Sequence, residues 1–267
     1  MKTLLQPYYI KENTQLFLGN SIEILKKIKK NSIDMIFADP PYGLSNNGIT
    51  CHNGKMVSVN KGEWDKSNGI KEDFKFHQQW IKACKRVLKP NGTIWISGTY
   101  HSIYACGYAL QINDFKILND ICWSKPNPAP NLSCKYFTAS HETIIWAIKD
   151  KNMKHTFNYE DMKHGEWHLN DKLKNEDKQM KSVWSLTAPT KKEKVFGKHP
   201  TQKPISLLER IIISSTNVND IVLDPFTGSS TTGVIAKKYN RNFIGIDSNK
   251  EYLDLSIERL EDTSTIY

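Results

Sequence analysis

The sequence predicts an α/β fold around a mostly parallel sheet, and three observations carry that prediction. Short apolar runs with little polar alternation, at 33–38, 93–97, 142–148, 220–224 and 242–247, read as strands buried on both faces. Amphipathic helical stretches separate most of them, which is the pattern of a parallel sheet with crossover helices. Asp39, Asp224 and Asp247 each sit at a predicted strand end. Ligands in such sheets bind at the carboxyl ends of strands, near the topological switch point, so one crevice can collect all three carboxylates.

Residues 1–14 read as an irregular arm and 15–19 as a short strand. Residues 21–30 form a helix, with Ile22, Leu25 and Ile28 on one face and lysines in the last turn, where the helix dipole favours cations. The 33–38 strand runs into Asp39-Pro40-Pro41-Tyr42. Two prolines fix φ and donate no backbone hydrogen bond, so helix and ladder both stop there. The turn presents a carboxylate, a freed carbonyl and an aromatic ring, a set suited to a planar ring bearing an amino group. A long loop follows at 43–73, rich in Gly, Asn and Lys and containing Trp64. Loops of that length in compact domains are usually functional or disordered, and this one reads as a substrate-gripping lid.

Residues 74–88 form an amphipathic helix stopped at Lys89-Pro90-Asn91-Gly92, followed by the 93–97 strand, a helix at 103–112 and a strand at 116–123. The rigid, amide-rich segment Ser124-Lys125-Pro126-Asn127-Pro128-Ala129-Pro130-Asn131 leads toward the 142–148 strand. Residues 150–194 lose apolar content and gain Lys, Asn, Asp and His, with Trp167 and Trp184 as isolated aromatics. They read as an inserted, mostly loop-like region outside the core. Its basic excess and aromatics favour nucleic-acid contact. The domain organisation is therefore 1–149 and 195–267 as two halves of one catalytic domain, with 150–194 inserted. After His199-Pro200-Thr201-Gln202-Lys203-Pro204 comes a helix at 205–215, its proline near the first position where proline is tolerated. The 220–224 strand, a helix at 234–239, the 242–247 strand and a last helix from 249 complete the chain.

At 267 residues the chain can bury a substantial core. No apolar run approaches the ~20 residues of a membrane span, and the N-terminal residues lack a signal-peptide apolar region, so the expectation is a cytoplasmic protein without membrane contact. Five cysteines, widely spaced and without Cys-x-x-Cys, suggest neither a disulfide framework nor zinc; Cys51-His52 alone makes half a ligand set, and no metal is expected. The net charge of +9 suits a polyanionic partner, because clustered Lys and Arg gain from counterion release at phosphates.

The segment Leu223-Asp224-Pro225-Phe226-Thr227-Gly228-Ser229-Ser230 joins a strand to a helix N-terminus through a tight turn. Such a turn lets the backbone approach a nucleotide, and an acid ending the next strand, Asp247, can accept from both ribose hydroxyls. The spacing is neither a Walker loop nor Gly-x-Gly-x-x-Gly. Asp224 would repel a pyrophosphate and pair with an amino group, which favours S-adenosylmethionine over NAD or FAD.

The Asp39–Tyr42 motif, the Asp224–Gly228 turn and the His199–Pro204 segment together resemble the three signature motifs of the DNA amino-methyltransferases, in the order of their permuted β group. The wording of Val57-Ser58-Val59-Asn60-Lys61-Gly62-Glu63-Trp64-Asp65-Lys66, of Asn127 to Cys134 and of Gly197-Lys198-His199-Pro200-Thr201-Gln202-Lys203-Pro204 is similar to the adenine methylases of GATC-type restriction systems. The resemblance spans most of 15–261 and is weakest over 150–180. It implies a seven-stranded methyltransferase sheet with one reversed strand, S-adenosylmethionine as cofactor, and DNA, single- or double-stranded, as substrate. It also implies a companion restriction endonuclease and a second copy in a homodimer as partners. The target adenine would be flipped into the pocket. Tyr42 would stack on it, while Asp39 and the Pro40 carbonyl would accept the hydrogens of N6. Asp224 would bind the methionine amino group, Phe226 would line the adenosine pocket, Gly228 and Ser229 would allow close approach, and Asp247 would hold the ribose. His199, Thr201 and Lys203 would face the cofactor, the last two at its methionine end. Trp64, Asn127, Pro128 and Asn131 would contact the DNA, and the 150–194 region would recognise the target.

Two positions depart from the family pattern. Ser230 stands where the turn usually ends in glycine, and Asn20 where an aspartate commonly faces the cofactor's adenine. The bottom-up reading agrees on chemistry: a carboxylate aimed at an amino group gaining positive charge stabilises the transition state more than the ground state. N4-cytosine methylation uses the same pocket logic; aspartate rather than serine at the first motif position tilts toward adenine. RNA or protein-glutamine methylation, a nicotinamide oxidoreductase and a non-catalytic DNA-binding module fit less well.

Overall fold

In chain order the strands are β1 (Tyr9–Lys11), β2 (Thr14–Leu18), β3 (Ile33–Ala38), β4 (Ile49–His52), β5 (Lys55–Ser58), β6 (Leu88–Gly98), β7 (Lys116–Ser124), β8 (His141–Ile148), β9 (Val183–Ser185), β10 (Ile221–Asp224) and β11 (Asn242–Asp247). The helices are α1 (Ser21–Lys27), α2 (Ile70–Val87), α3 (Ile103–Ile112), α4 (Tyr159–His164), α5 (Ile205–Ser215), α6 (Thr231–Lys238) and α7 (Lys250–Glu261). The computed structural model describes residues 5–45, 49–52, 55–58, 65–197 and 199–262, with 49–52 and 55–58 described by backbone alone. Trp64, Lys198 and the side chains of Cys51 and His52 therefore lie outside the described residues.

The main sheet runs β1-β2-β11-β10-β3-β6-β8-β7-β9, and β4 and β5 form a separate hairpin. From β2 through β6 the pairing is parallel. β8 is antiparallel to both β6 and β7, so it is the reversed strand. The expected seven-stranded, permuted methyltransferase sheet is thus the run from β2 to β7, and two strands extend it. β1 pairs antiparallel with β2, so part of the expected irregular arm is a hairpin. β9, from the inserted region, pairs parallel with β7.

Helices cover both faces. On one, Ile24 and Leu25 of α1, Trp80, Ile81 and Cys84 of α2, and Ile103, Cys106 and Leu110 of α3 pack with Ile36, Ile94 and Ile96 of the sheet. On the other, Leu207, Leu208 and Ile211 of α5, Val234 and Ile235 of α6, and Leu253 and Leu260 of α7 pack on Met35, Phe37, Val222 and Phe243. Adjacent strand residues such as Met35 and Ile36 go to opposite faces, as period-2 alternation demands, which is why these strands are apolar throughout. α2 begins four residues before the expected 74, and β6 absorbs the expected Lys89–Gly92 turn because Ile33 pairs with Leu88 across a register shift.

The inserted region is mostly irregular, yet it is not outside the core. Met162, Trp184 and Leu186 are buried. Asp171 and Arg210, each 1 % exposed, form a 2.7 Å ion pair. The Arg210 guanidinium lies 5.0 Å from the Trp184 ring and 5.6 Å from the Trp167 ring. Trp167 and Trp184, which read as isolated aromatics, both lie against an arginine of α5 and tie the insertion down, Trp184 buried and Trp167 only partly so.

Candidate active site

Going from β3 through α2 to β6 the chain moves one way along the sheet, and from β10 through α6 to β11 it moves the other way. The reversal lies between neighbouring strands β3 and β10, the switch point where a crevice opens. A cleft of about 1030 Å³, counting space open to solvent, lies there and is lined by Asp39, Asp224 and Asp247 together. His199, Thr201, Lys203, Phe226, Gly228 and Ser229 line it as well, and so do Asn20, Phe76, Gln202 and Tyr252.

The cofactor turn is built by hydrogen bonds within itself. The Asp224 carboxylate accepts from the Phe226 N–H at 3.0 Å and from the Thr232 hydroxyl at 2.6 Å. Asp247 accepts from the Gly228 N–H at 2.9 Å and from the Asn249 N–H at 2.8 Å. Gly228 has φ +50, and a Cβ there would meet the His199 ring at 2.9 Å, so glycine is needed both for conformation and for space. Ser230, the departure from the family turn, adopts φ 52 and ψ 39 and starts α6. Its hydroxyl lies 2.8 Å from Thr227 Oγ1, so the extra side chain is absorbed inside the turn and does not line the cleft. Asn20 lines the cleft, while its Oδ1 caps α1 by accepting from the Ile22 and Glu23 N–H groups.

The cleft is acidic. Burial lifts the Asp224 carboxyl to about 7, helped by neighbouring Asp39 and Asp247 and opposed by its Thr232 and Phe226 hydrogen bonds. Burial also raises Asp247, against its backbone donors. Three carboxylates that repel one another favour a cationic ligand and disfavour a pyrophosphate. The buried Gln202 Oε1, an acceptor without a partner among the described residues, adds to that preference. Phe226 packs edge-on to Trp80 and beside Phe76, giving the cleft an aromatic wall. The donor set therefore fits S-adenosylmethionine, which carries a sulfonium, an ammonium, a ribose and an adenine.

At the other end, Asp39 accepts from the Tyr42 hydroxyl at 2.5 Å through Oδ1 and from Lys203 Nζ at 2.6 Å through Oδ2. Tyr42 is buried, and its hydroxyl also reaches Glu142 Oε2 at 3.1 Å and Ser97 Oγ at 3.3 Å. Glu142 Oε1 accepts from Lys125 at 2.5 Å. Burial pushes Glu142 up, but Lys203 and Lys125 outweigh it and hold the carboxyl down to about 2. Burial raises Asp39 above the ordinary carboxylate range; Lys203 pulls it back and Glu142 adds to the rise. The Tyr42, Gly43 and Leu44 N–H groups and the Ser45 hydroxyl all donate to the buried Asp65 carboxylate, at 2.8 to 3.1 Å, which fixes the backbone after the two prolines.

The other expected site residues take distinct places around the cleft. Lys203 lines the cleft, and its ammonium binds Asp39. Thr201 donates from its N–H to His199 Nδ1 at 3.3 Å, and the His199 ring stands edge-on to Tyr252 at 4.3 Å. Asp39 and Pro41 line the cleft directly, and Pro40 and Tyr42 adjoin them in the chain without lining it. Asn127, Pro128 and Asn131 do not line the cleft, and the Asn131 amide folds its own loop, donating to the Tyr136 carbonyl and accepting from Ser133. Asp65, Ser97, Lys125 and Glu142 were not singled out as site residues. Glu142 left one trace, a carboxylate opening an otherwise apolar buried run.

A family model described as DNA methylase matches residues 33–258. The chain is 55 % identical over 261 residues to the type II methyltransferase M2.LlaDCHI of Lactococcus lactis subsp. cremoris, covering 97 % of this chain and 94 % of that protein. It is 55 % identical over 257 residues to the type II methyltransferase M2.DpnII of Streptococcus pneumoniae, covering 96 % and 92 %. Among solved structures, the M1.HpyAVI–SAM complex superposes with a TM-score of 0.67 at 31 % identity, over 93 % of this chain and 100 % of that one. The cytosine-N4-specific PvuII DNA methyltransferase, at 19 % identity, shares the fold with a TM-score of 0.74, over 97 % and 90 %. With the cleft, its carboxylates and the reversed-strand sheet already in place, these matches show that the chain belongs to the DNA methylase family.

Proposed function

We propose that the chain is a site-specific DNA methyltransferase that transfers a methyl group from S-adenosylmethionine to adenine N6, within GATC, as part of a restriction-modification system. One observation carries this reading: Asp39, at the end of β3, shares a single cleft with Asp224 and Asp247, at the ends of the adjacent β10 and β11. That places an acceptor for an amino group beside a site suited to a cationic nucleoside.

The methyl donor supplies an electrophilic carbon on a sulfonium. Everything else falls to the chain. Asp224 takes the donor's ammonium, Asp247 its ribose, and Phe226 and Phe76 its adenine. Asp39 and the Pro40 carbonyl accept the two N6 hydrogens and aim the nitrogen lone pair at the methyl carbon. With the donor bound, transfer would leave the donor sulfur as a neutral thioether and N6 positively charged; the Asp39 carboxylate would stabilise that charge most in the transition state, and N6 would then release its extra proton toward Asp39 or solvent. Tyr42, tethered by its hydroxyl and, through Asp65, by its backbone, provides the ring against which the base stacks. The 150–194 region contacts DNA, consistent with its basic excess. The same reading includes a companion endonuclease and a homodimer as partners, and a cytoplasmic location. Among the described residues, no helix is long and apolar enough to cross a membrane.

The test is methylation of a GATC-containing duplex and its single strand with labelled S-adenosylmethionine, followed by nucleoside analysis. N6-methyladenine confined to GATC is expected. N4-methylcytosine, or label on RNA or protein alone, would overturn the assignment.

A further inference from the structure

We propose that Glu142 is a positioning residue for the transfer: it receives the Lys203 ammonium when the target amino group takes over Asp39. The inference deepens the methyltransferase reading and rests on it.

Both Asp39 oxygens are engaged by the protein itself, Oδ1 by Tyr42 and Oδ2 by Lys203. Each oxygen keeps a second lone pair, so an amine held by Asp39 either shares the carboxylate with Tyr42 and Lys203 or displaces one of them. Tyr42 has little room to leave, because its hydroxyl sits among Asp39, Ser97, Glu142 and Lys203 and its N–H is fixed by Asp65. Lys203 has a flexible stem and a compact, rotatable ammonium.

Keeping Lys203 on Asp39 would also defeat the chemistry. An ammonium at 2.6 Å offsets the field of the carboxylate at the nitrogen where charge develops. Yet Lys203 is 6 % exposed, and a buried ammonium stripped of its partner costs several kcal/mol. It needs a second acceptor within reach.

Glu142 supplies it. Its Oε2 lies 3.5 Å from Lys203 Nζ, so a movement of under about 1 Å turns a long ion pair into a normal charge-assisted hydrogen bond. Its other oxygen is anchored by Lys125, and Ser97 and Tyr42 steady Oε2, so the acceptor stays in place while the ammonium moves. The charges balance in both positions: two carboxylates, Asp39 and Glu142, face two ammonium groups, Lys125 and Lys203. When the amine becomes cationic on Asp39, the extra positive charge meets a carboxylate already vacated by Lys203.

The experiment is a double-mutant cycle on Glu142→Gln and Lys203→Met, with single-turnover methyl transfer measured at alkaline pH so that Asp39 is ionised in every variant. Thermal melting and S-adenosylmethionine affinity are measured on the same samples. Glu142→Gln strands the ammonium on Asp39, and the transfer rate is expected to fall at least about tenfold, with cofactor affinity within about twofold of wild type. Adding Lys203→Met removes the competitor, so the double variant should transfer faster than Glu142→Gln alone. A double variant no faster than that single variant overturns the handover, and so does a Glu142→Gln enzyme with unchanged rate. If wild-type protein itself makes no N6-methyladenine, the functional reading fails first and the handover with it; an active wild type with additive variants removes the handover alone.

Discussion

Asp224→Asn should stabilise the fold while weakening the cofactor, and the two effects come from one charge. Burial lifts the Asp224 carboxyl from 3.8 to about 7. A raised value means the folded chain holds the proton more tightly than the unfolded chain. The contribution therefore favours folding at low pH and is lost as pH rises from 3.8 through about 7. At about pH 8 the carboxylate is ionised, and carrying it costs the fold about 4 kcal/mol at 1.36 kcal/mol per pH unit. Asparagine removes the charge and keeps an oxygen for the Phe226 N–H. The Thr232 hydroxyl, 2.6 Å from the other carboxylate oxygen, can turn to accept from the new amide. Allowing for imperfect geometry, roughly half the penalty, about 2 kcal/mol, should return as stability, raising Tm by about 4–6 °C.

The gain should be full at about pH 8 and much smaller at about pH 5, where folded Asp224 is protonated but the unfolded carboxyl, at 3.8, is still ionised, so that roughly a third of the penalty remains; it vanishes only below the unfolded value. Scanning calorimetry at the two pH values checks this. Titration calorimetry with S-adenosylmethionine should show the opposite sign, a loss of about 2–3 kcal/mol, or roughly 30–100-fold, because a charged hydrogen bond to the donor's ammonium becomes a neutral one. A Tm unchanged at both pH values would refute the buried-charge argument. An affinity within about twofold of wild type would refute the placement of the ammonium at Asp224.

The other predictions test separate parts of the machine. Asp39→Ala should lower single-turnover transfer by about a thousandfold or more, as loss of a transition-state acceptor does, with cofactor affinity largely kept in calorimetry; complete loss of cofactor binding would make Asp39 a ligand of the donor instead. Asp247→Ala should weaken S-adenosylmethionine by about 10–100-fold, the worth of one or two hydrogen bonds to a carboxylate, and unchanged affinity would count against the ribose assignment. Asp171→Ala leaves the Arg210 guanidinium, 1 % exposed, without its carboxylate, and should cost about 3–5 kcal/mol in denaturant unfolding; a loss below about 1 kcal/mol would mean the insertion is held without the pair.

The fold was legible where one physical signal ruled a segment. The strands at 33–38 and 242–247 and the helices at 103–112 and 205–215 were read with the bounds they have in the structure, because each is an uninterrupted buried run or a clean amphipathic stripe. The misreadings share a cause: a tertiary partner overrode a local signal. Lys89-Pro90-Asn91-Gly92 spells a turn, yet β3 draws Leu88 into the sheet. Tyr9–Lys11 is a strand only because Leu16 and its neighbours bond it. Trp184 sits in a polar stretch and is core only because β9 docks on β7 and Arg210 reaches it. At the site, the motif residues of the cofactor turn were legible because turn geometry is local. Glu142 and Asp65 were not, since their meaning depends on Tyr42, which is 100 residues away from one and 23 from the other.

That division explains the charge pattern of the cleft. Local motifs supplied three carboxylates, and a reader of motifs alone would see a site too acidic to be stable. Long-range contacts supply the compensation, and they supply it unevenly. Asp39 and Glu142 share Lys203 and Lys125. Asp224 and Asp247, 3 % exposed and half-buried respectively, have only neutral donors among the described residues. On the proposed mechanism the uncompensated pair holds the cationic nucleoside, while Asp39, backed by Lys203 and Glu142, receives the neutral amine that becomes charged. A ligand that is cationic before reaction needs bare carboxylates; one that becomes cationic during reaction needs a carboxylate whose counter-ion can step aside. On that reading the asymmetry in counter-ions sets direction in the cleft, donor on the Asp224 side and acceptor on the Asp39 side.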